Sequence, residues 1–208
     1  MPTVGLDTRY FYPQPVNELR QQLGLCGQAT VGYVGRLVPE KGVDTLLQAV
    51  PRFPPSVRCL IIGDGPEKTN LEAIARQPGI AERCSFIGGL SYDRMPAYMN
   101  LLDILVLPSR TTRNWKEQFG RVLVEAMGCQ ITVVGSNSGA IPEVIGDAGR
   151  LFPEGNAASL AAVVNDLLAD PQLRRALGER GYRRALERYS VERLAAQTLT
   201  LWQKLNLA

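Results

Sequence analysis

Histidine is absent from the sequence. That removes imidazole metal ligands, Ser-His-Asp triads and histidine general bases from this chain. Cysteine is scarce: Cys26, Cys59, Cys84 and Cys129 are far apart and form no Cys-x-x-Cys pair. Three of them, Cys59, Cys84 and Cys129, fall inside or beside apolar runs, so buried reduced thiols in a cytoplasmic setting are expected. No apolar run approaches ~18 residues, and Met1-Pro2-Thr3 does not open a signal peptide, which predicts a soluble chain with no integral membrane segment. Charge of one sign is also lacking. A net charge of +3 is too weak to argue for a nucleic-acid partner. There is no Asp-x-Asp pair and no carboxylate cluster, so no metal site is expected.

What is present reads as an alternating chain. Of 208 residues, 45% are apolar and 21% charged, ordinary for a globular protein and sufficient for a substantial core. Residues 1–28 form a lead-in, with an extended Phe11-Tyr12-Pro13-Gln14-Pro15 and a short helix over 16–23. From there β-rich runs at 30–34, 57–62, 83–87, 104–107, 131–134 and 151–152 alternate with helical patterns at 41–50, 66–76, 92–101, 120–129 and 141–145. Pro66 suits the first turn of its helix. Further helices are predicted over 157–169, 171–189 and 191–205, the last within a C-terminal segment 190–208. The run 104–107 holds no polar side chain, which predicts a central strand. The alternation predicts one α/β domain over 1–208: a Rossmann-like, doubly wound parallel sheet of about six strands with helices on both faces. Ligands then bind beyond the carboxyl ends of the strands, on loops 35–40, 63–65, 88–91, 108–118 and 135–140.

The stretch from Trp115 to Cys129 organises the rest. From Val122 onward nearly every residue is apolar or small, except Glu125. An unpaired carboxylate there costs several kcal/mol or takes up a proton, so it needs a partner. Glu117 precedes it by eight residues, in the loop before the helix. At ~1.5 Å rise per residue the two carboxylates lie roughly 9–12 Å apart along the axis, about the reach from ribose to hexose in a nucleotide sugar. The helix N-terminus between them favours an anion such as a diphosphate. Arg121 and Glu125 are also an i,i+4 pair, which a purely structural role explains as well.

Other loops carry similar chemistry. Gly35-Arg36 and Lys41-Gly42 follow the first strand. A lysine opening a helix sits at the unfavourable end of the macrodipole; a bound anion offsets this, and Arg36 adds a planar fork for phosphate oxygens. A solvated lysine is the alternative. Gly63-Asp64-Gly65-Pro66-Glu67-Lys68 lacks the third glycine of a dinucleotide fingerprint and follows the second strand, so it reads as a tight turn and no cofactor is expected. Around Ser138-Gly139 small residues let a ligand approach the backbone, although an ordinary strand-to-helix connection fits equally. The C-terminal arginines, interleaved with glutamates, read as solvated helix faces.

In this order and spacing, these segments resemble the C-terminal domain of glycosyltransferase family 4, retaining enzymes of the GT-B fold, over nearly the whole chain. Val4-Gly5-Leu6-Asp7 looks like the family's Asn-Gly-Val-Asp, Glu117 to Glu125 its Glu-x7-Glu, and Ser138-Gly139-Ala140-Ile141-Pro142-Glu143 its Gly-Gly-x-Pro-Glu. The resemblance implies catalytic roles for Arg36, Lys41 and Glu117. The first two would neutralise the donor's diphosphate, and Glu117 would bind donor-sugar hydroxyls. It implies donor binding at Gly35, Gly88, Phe119, Gly120, Arg121, Glu125, Ser138 and Gly139, with Glu125 on the ribose and the base near residues 87–90. The substrate would be a nucleoside-diphosphate sugar, with no metal and a glycan or lipid-linked acceptor. Retention would proceed by front-face substitution. The family's N-terminal domain is missing, so transfer needs that partner, and peripheral membrane association would belong to the full-length protein. The rival readings are a nucleotide-sugar epimerase of related architecture and a non-catalytic nucleotide-sugar-binding module. Two departures stand out. Val4 replaces the family's Asn, and Cys129-Gln130-Ile131-Thr132 replaces Cys-Gly-x-Pro, which predicts a strand start less fixed in φ.

Overall fold

The computed structural model describes residues 5–206; Val4 of the lead-in motif and residues 207–208 of the C-terminal segment lie outside them. Six strands form one parallel sheet: β1 (Thr30–Val34), β2 (Arg58–Ile62), β3 (Cys84–Gly88), β4 (Ile104–Leu107), β5 (Thr132–Ser136) and β6 (Gly149–Phe152). Their order is β3-β2-β1-β4-β5-β6, the doubly wound arrangement the alternation predicts. β4 is central, bonded to β1 and β5, and all four of its residues are buried, as its apolar run requires.

The helices are α1 (Asn17–Gln22), α2 (Val43–Ala49), α3 (Lys68–Ala75), α4 (Met95–Met99), α5 (Arg121–Gly128), α6 (Ile141–Ile145), α7 (Ala157–Ala169), α8 (Pro171–Tyr189) and α9 (Val191–Asn206). α5 packs on α8 and on β4 and β5, and α2 packs on α3 and α7. The boundary between α7 and α8 is set chemically, because Asp170 accepts the amides of Gln172 and Leu173 (3.1 and 2.9 Å).

Several boundaries differ from the sequence reading, each for a backbone reason. Lys41 does not open α2. It ends a separate one-turn 3-10 helix, Pro39–Lys41, and Gly42 then turns through φ 62° before α2 begins. A Cβ at Gly42 would collide with the Pro108 carbonyl, so only glycine allows this crossing. α2 gives way at Val50 to a 3-10 turn containing Pro51, which has no N–H to continue the ladder. Pro66 lies before α3, in a turn where the Glu67 amide donates to the Leu37 carbonyl (3.0 Å). α4 is also shorter than the predicted 92–101, starting at Met95.

The end of α5 corrects a further expectation. The amide of Gln130 donates to Met127 and that of Ile131 to Ala126 (2.9 and 3.0 Å), a Schellman closure that needs a left-handed residue at position 130. Gln130 supplies it at φ 62°, the one positive-φ non-glycine among the described residues. The strand start is nonetheless fixed without proline: the buried Thr132 hydroxyl donates to the Arg174 carbonyl at 2.6 Å. Gln130 is exposed. Gln130→Gly should therefore relieve about 1–2 kcal/mol of left-handed strain, offset partly by glycine's unfolded-state entropy. The expected result is a net gain of roughly 0.5–1 kcal/mol in chemical denaturation; a loss of stability would contradict it.

Candidate functional site

A cleft of about 540 Å³ opens where the strand order reverses. Its floor is the carboxyl ends of β1, β2 and β4, through Val34, Ile62 and Leu107. After β1 the chain turns at Gly35-Arg36. The Arg36 carbonyl accepts the Tyr33 hydroxyl at 2.7 Å, and burial pushes that phenol well above its usual range. Tyr33 therefore remains a proton donor and pins the loop.

Lys41 meets an anion inside the chain. Its Nζ donates to Glu117 Oε2 at 2.6 Å and lies 4.9 Å from the centroid of the Trp115 ring. The same carboxylate oxygen accepts the Ser109 hydroxyl at 2.9 Å, and the Ser109 carbonyl accepts Ser136 Oγ at 2.5 Å. Glu117 is 7% exposed. The solvated-lysine alternative does not describe this structure. Lys41 keeps donors to spare, since an ammonium has three N–H groups.

Arg121 and Glu125 do pair, Nε to Oε1 at 3.0 Å, and Glu125 also lines the cleft. Arg121 is on the outer side, its side chain 58% exposed against 10% for Glu125. Burial raises the Glu125 carboxyl above its usual range, with Arg121 pulling the other way. A carboxylate has about four acceptor positions, so one arginine leaves it unsaturated toward the cleft. Beside it α5 begins at Gly120 without a side-chain cap.

Gly35, Arg36, Lys41, Glu117, Gly120, Arg121 and Glu125 thus share one cleft. Gly88, Phe119, Ser138 and Gly139 are not among its lining. The Gly88 carbonyl accepts the Gly63 amide (2.8 Å), and it is Gly89 and Leu90 that reach the cleft. The Phe119 ring packs edge-on against Tyr189, 5.5 Å between centroids. Ser138 is buried, its hydroxyl 3.0 Å from that of Thr111. Gly139, at φ 53°, lies against the Glu117 carbonyl where a Cβ would collide, and the Ala140 amide donates to that carbonyl at 2.9 Å. Ser138 and Gly139 stand behind the Glu117 loop. Sequence reasoning missed Ser109, Tyr33, Trp115 and Tyr92. Ser109 had a usable signal, standing two residues beyond a wholly apolar strand; the others have no periodicity that marks them. Among the described residues no group of three His, Cys, Asp or Glu is placed to share a metal ion, and no helix is long and apolar enough to cross a membrane.

The profile of the family glycosyl transferases group 1 matches residues 16–184. The chain belongs to that family. Among its curated group 1 relatives is the GDP-mannose-dependent alpha-(1-6)-phosphatidylinositol monomannoside mannosyltransferase of Mycolicibacterium smegmatis. It is 34% identical over 194 residues, spanning 89% of this chain and 51% of the relative. Anabaena HepE in complex with UDP superposes with a TM-score of 0.88 at 28% identity, over 96% of this chain and 56% of that one. The C-terminal domain of the group 1 protein LpcC from Francisella tularensis superposes with a TM-score of 0.79 at 28% identity, over 90% of this chain and all of that one. The group 1 chain described here spans about half the length of the curated relatives it matches, and it corresponds to the C-terminal half of the GT-B fold.

The buried Glu125 predicts a cost of holding the site open. A carboxyl whose folded pKa is raised adds stability below its unfolded value, and that contribution is lost as pH rises through the folded value. Glu125→Gln should therefore melt higher than the unsubstituted chain near neutral pH, by roughly 0.5–2 kcal/mol. The gap should shrink toward about pH 3, below the usual carboxylate range, where the Glu125 side chain is neutral in the folded and the unfolded chain. Melting curves at the two pH values check this; a variant less stable at neutral pH would contradict it.

Proposed function

We propose that this chain is the donor-binding half of a retaining, metal-independent glycosyltransferase, which moves a sugar from a nucleoside-diphosphate sugar to a glycan or lipid-linked acceptor. The observation that carries this is the meeting of Arg36, Lys41, Glu117 and Glu125 in one cleft at the sheet's switch point. Membership of the family, the GDP-mannose dependence of one relative and the complex of a structural neighbour with UDP support it. Arg36, the free N–H groups of Lys41 and the uncapped start of α5 take the diphosphate and stabilise the charge that grows as the nucleotide leaves. Glu117, held rigid by Lys41 and Ser109, orients the sugar hydroxyls. Glu125 accepts the ribose hydroxyls. Attack from the face of departure gives retention, and the acceptor is held by the half of the enzyme outside this chain.

The two carboxylates are tested separately by calorimetry with a nucleoside diphosphate and the corresponding sugar nucleotide, with and without a chelator. Glu117→Gln is expected to leave nucleoside-diphosphate affinity almost intact and to weaken only the sugar-bearing ligand. Glu125→Gln is expected to weaken both about equally, by roughly 1.5–3 kcal/mol for a lost charge-assisted bond. A chelator should change neither. Normal binding of both ligands by Glu125→Gln would reduce Glu125 to the ion-pair partner of Arg121, and affinity that collapses on chelation would end the metal-free account.

A further inference from the structure

Away from the cleft, the sheet brings two cysteines together. Cys59 on β2 and Cys84 on β3 are register partners in adjacent parallel strands, so their side chains leave the same face at the same level. Neighbouring strands lie about 4.8 Å apart. A disulfide spans Cα separations of roughly 4.4–6.8 Å, so the strand spacing itself is within bridging range. Both cysteines are free thiols. β3 is the edge strand, hydrogen-bonded to β2 alone, and can shift without breaking a second ladder.

The two thiols differ in access. Cys59 is 1% exposed, whereas Cys84 is half-buried, short of the burial expected from its apolar run. Cys84 lines a groove of about 230 Å³, together with Phe86 and with Ala75 and Arg76 at the end of α3. A small reagent therefore reaches Cys84 before Cys59. The hydrogen bond from Cys59 lowers the Cys84 thiol from its usual range, and the Arg83 charge adds to this against the effect of burial. The same bond, together with burial, pushes Cys59 up. Cys84 is thus the thiolate of the pair, and Cys59 holds the proton. By contrast, Cys26 is simply exposed, and burial pushes Cys129 up to about 12.

We infer that Cys59 and Cys84 form a two-thiol oxidation site, which hydrogen peroxide converts to an interstrand disulfide. The Cys84 thiolate attacks one peroxide oxygen. An S–O bond forms, the O–O bond breaks, and the departing hydroxide takes up the thiol proton as water. Cys84, oxidised by two electrons, is then a sulfenic acid. The Cys59 sulfur attacks it, the S–S bond forms as the S–O bond breaks, and a second water leaves with the Cys59 proton. Two thiols and one peroxide give one disulfide and two waters. The new bond closes the segment from β2 through α3 to β3. This inference does not depend on the donor-binding reading.

The test is a peptide map of the folded chain after brief treatment with equimolar hydrogen peroxide, the remaining thiols being alkylated on unfolding. Trypsin places Cys59 in peptide 59–68 and Cys84 in peptide 84–94. The expected first product joins these two peptides with the loss of two hydrogens, while Cys26 and Cys129 are recovered as alkylated thiols. Cys59→Ala is expected to leave a Cys84 sulfenic acid that a cyclic dione captures. Cys84→Ala is expected to slow the oxidation of Cys59 by about tenfold or more. Melting curves check that both variants fold; where one does not, the map of the unsubstituted chain decides alone. Recovery of Cys59 and Cys84 as free thiols once Cys26 is oxidised would overturn the proposal. So would a bridge that forms no faster in the folded chain than in the urea-unfolded one, because the strand register would then contribute nothing.

Discussion

Glu117 is held from both of its ends, and the geometry of the cleft depends on that. Its carboxylate is fixed by Lys41 from the loop after β1 and by Ser109 from the loop after β4. Its carbonyl is fixed by the Ala140 amide from the loop after β5, over a glycine that leaves no room for a side chain. The loops after β1 and β5 therefore converge on one residue of the loop after β4. A charged hydrogen bond in a site this buried is among the stronger polar contacts, on the order of 1.5–3 kcal/mol. The arrangement holds Lys41 in the same cleft as the uncapped start of α5, with its remaining donors available. Truncating Glu117 would free Lys41 and Ser109 together, whereas glutamine keeps an oxygen that can accept from both.

The fold was largely legible because its signals are local. The apolar run 104–107 could only be a central strand, and the alternation of runs with helical periods could only be wound as a parallel sheet. The charged residues of the cleft were legible for a related reason, since each stands on a loop at the carboxyl end of a strand. What was not legible depends on contacts between distant segments. Nothing near Lys41 in the chain announces that its counter-ion lies at Glu117 or that Trp115 lies beside its ammonium. The small residues at Ser138 and Gly139 were read as making room for a ligand; in the structure Gly139 makes room for the Glu117 carbonyl. Both readings follow from the absence of a side chain, and only the tertiary neighbour distinguishes them. The helix limits around Gly42 and Pro66 shifted because single-residue turn chemistry, invisible to periodicity, decides where a helix begins.

The site also carries a conflict between stability and ligand capacity. Glu125 lies in an otherwise apolar stretch of α5 with one arginine, itself mostly exposed, as its partner. Folding alone gives no reason to place an under-satisfied carboxylate there, and such conflicts mark functional positions. Arg121 accounts for part of the charge and not for the remaining acceptor positions, which is why the i,i+4 pair and the ligand-binding role are compatible. The chain spans about half the length of its curated relatives. Under the proposed function the donor's contacts fall on the cleft described here, and the acceptor's on the half outside this chain.

The central claim is that the loops converging on Glu117 present Lys41 and Arg36 to a diphosphate whose nucleoside reaches Glu125. A crystal structure of the chain with a bound nucleoside diphosphate tests it most directly. The account predicts phosphate oxygens within hydrogen-bond distance of Lys41 Nζ and of the Arg36 guanidinium, with a ribose hydroxyl on the Glu125 carboxylate. A nucleotide bound with its phosphates away from Lys41, or with its ribose out of reach of Glu125, would contradict it.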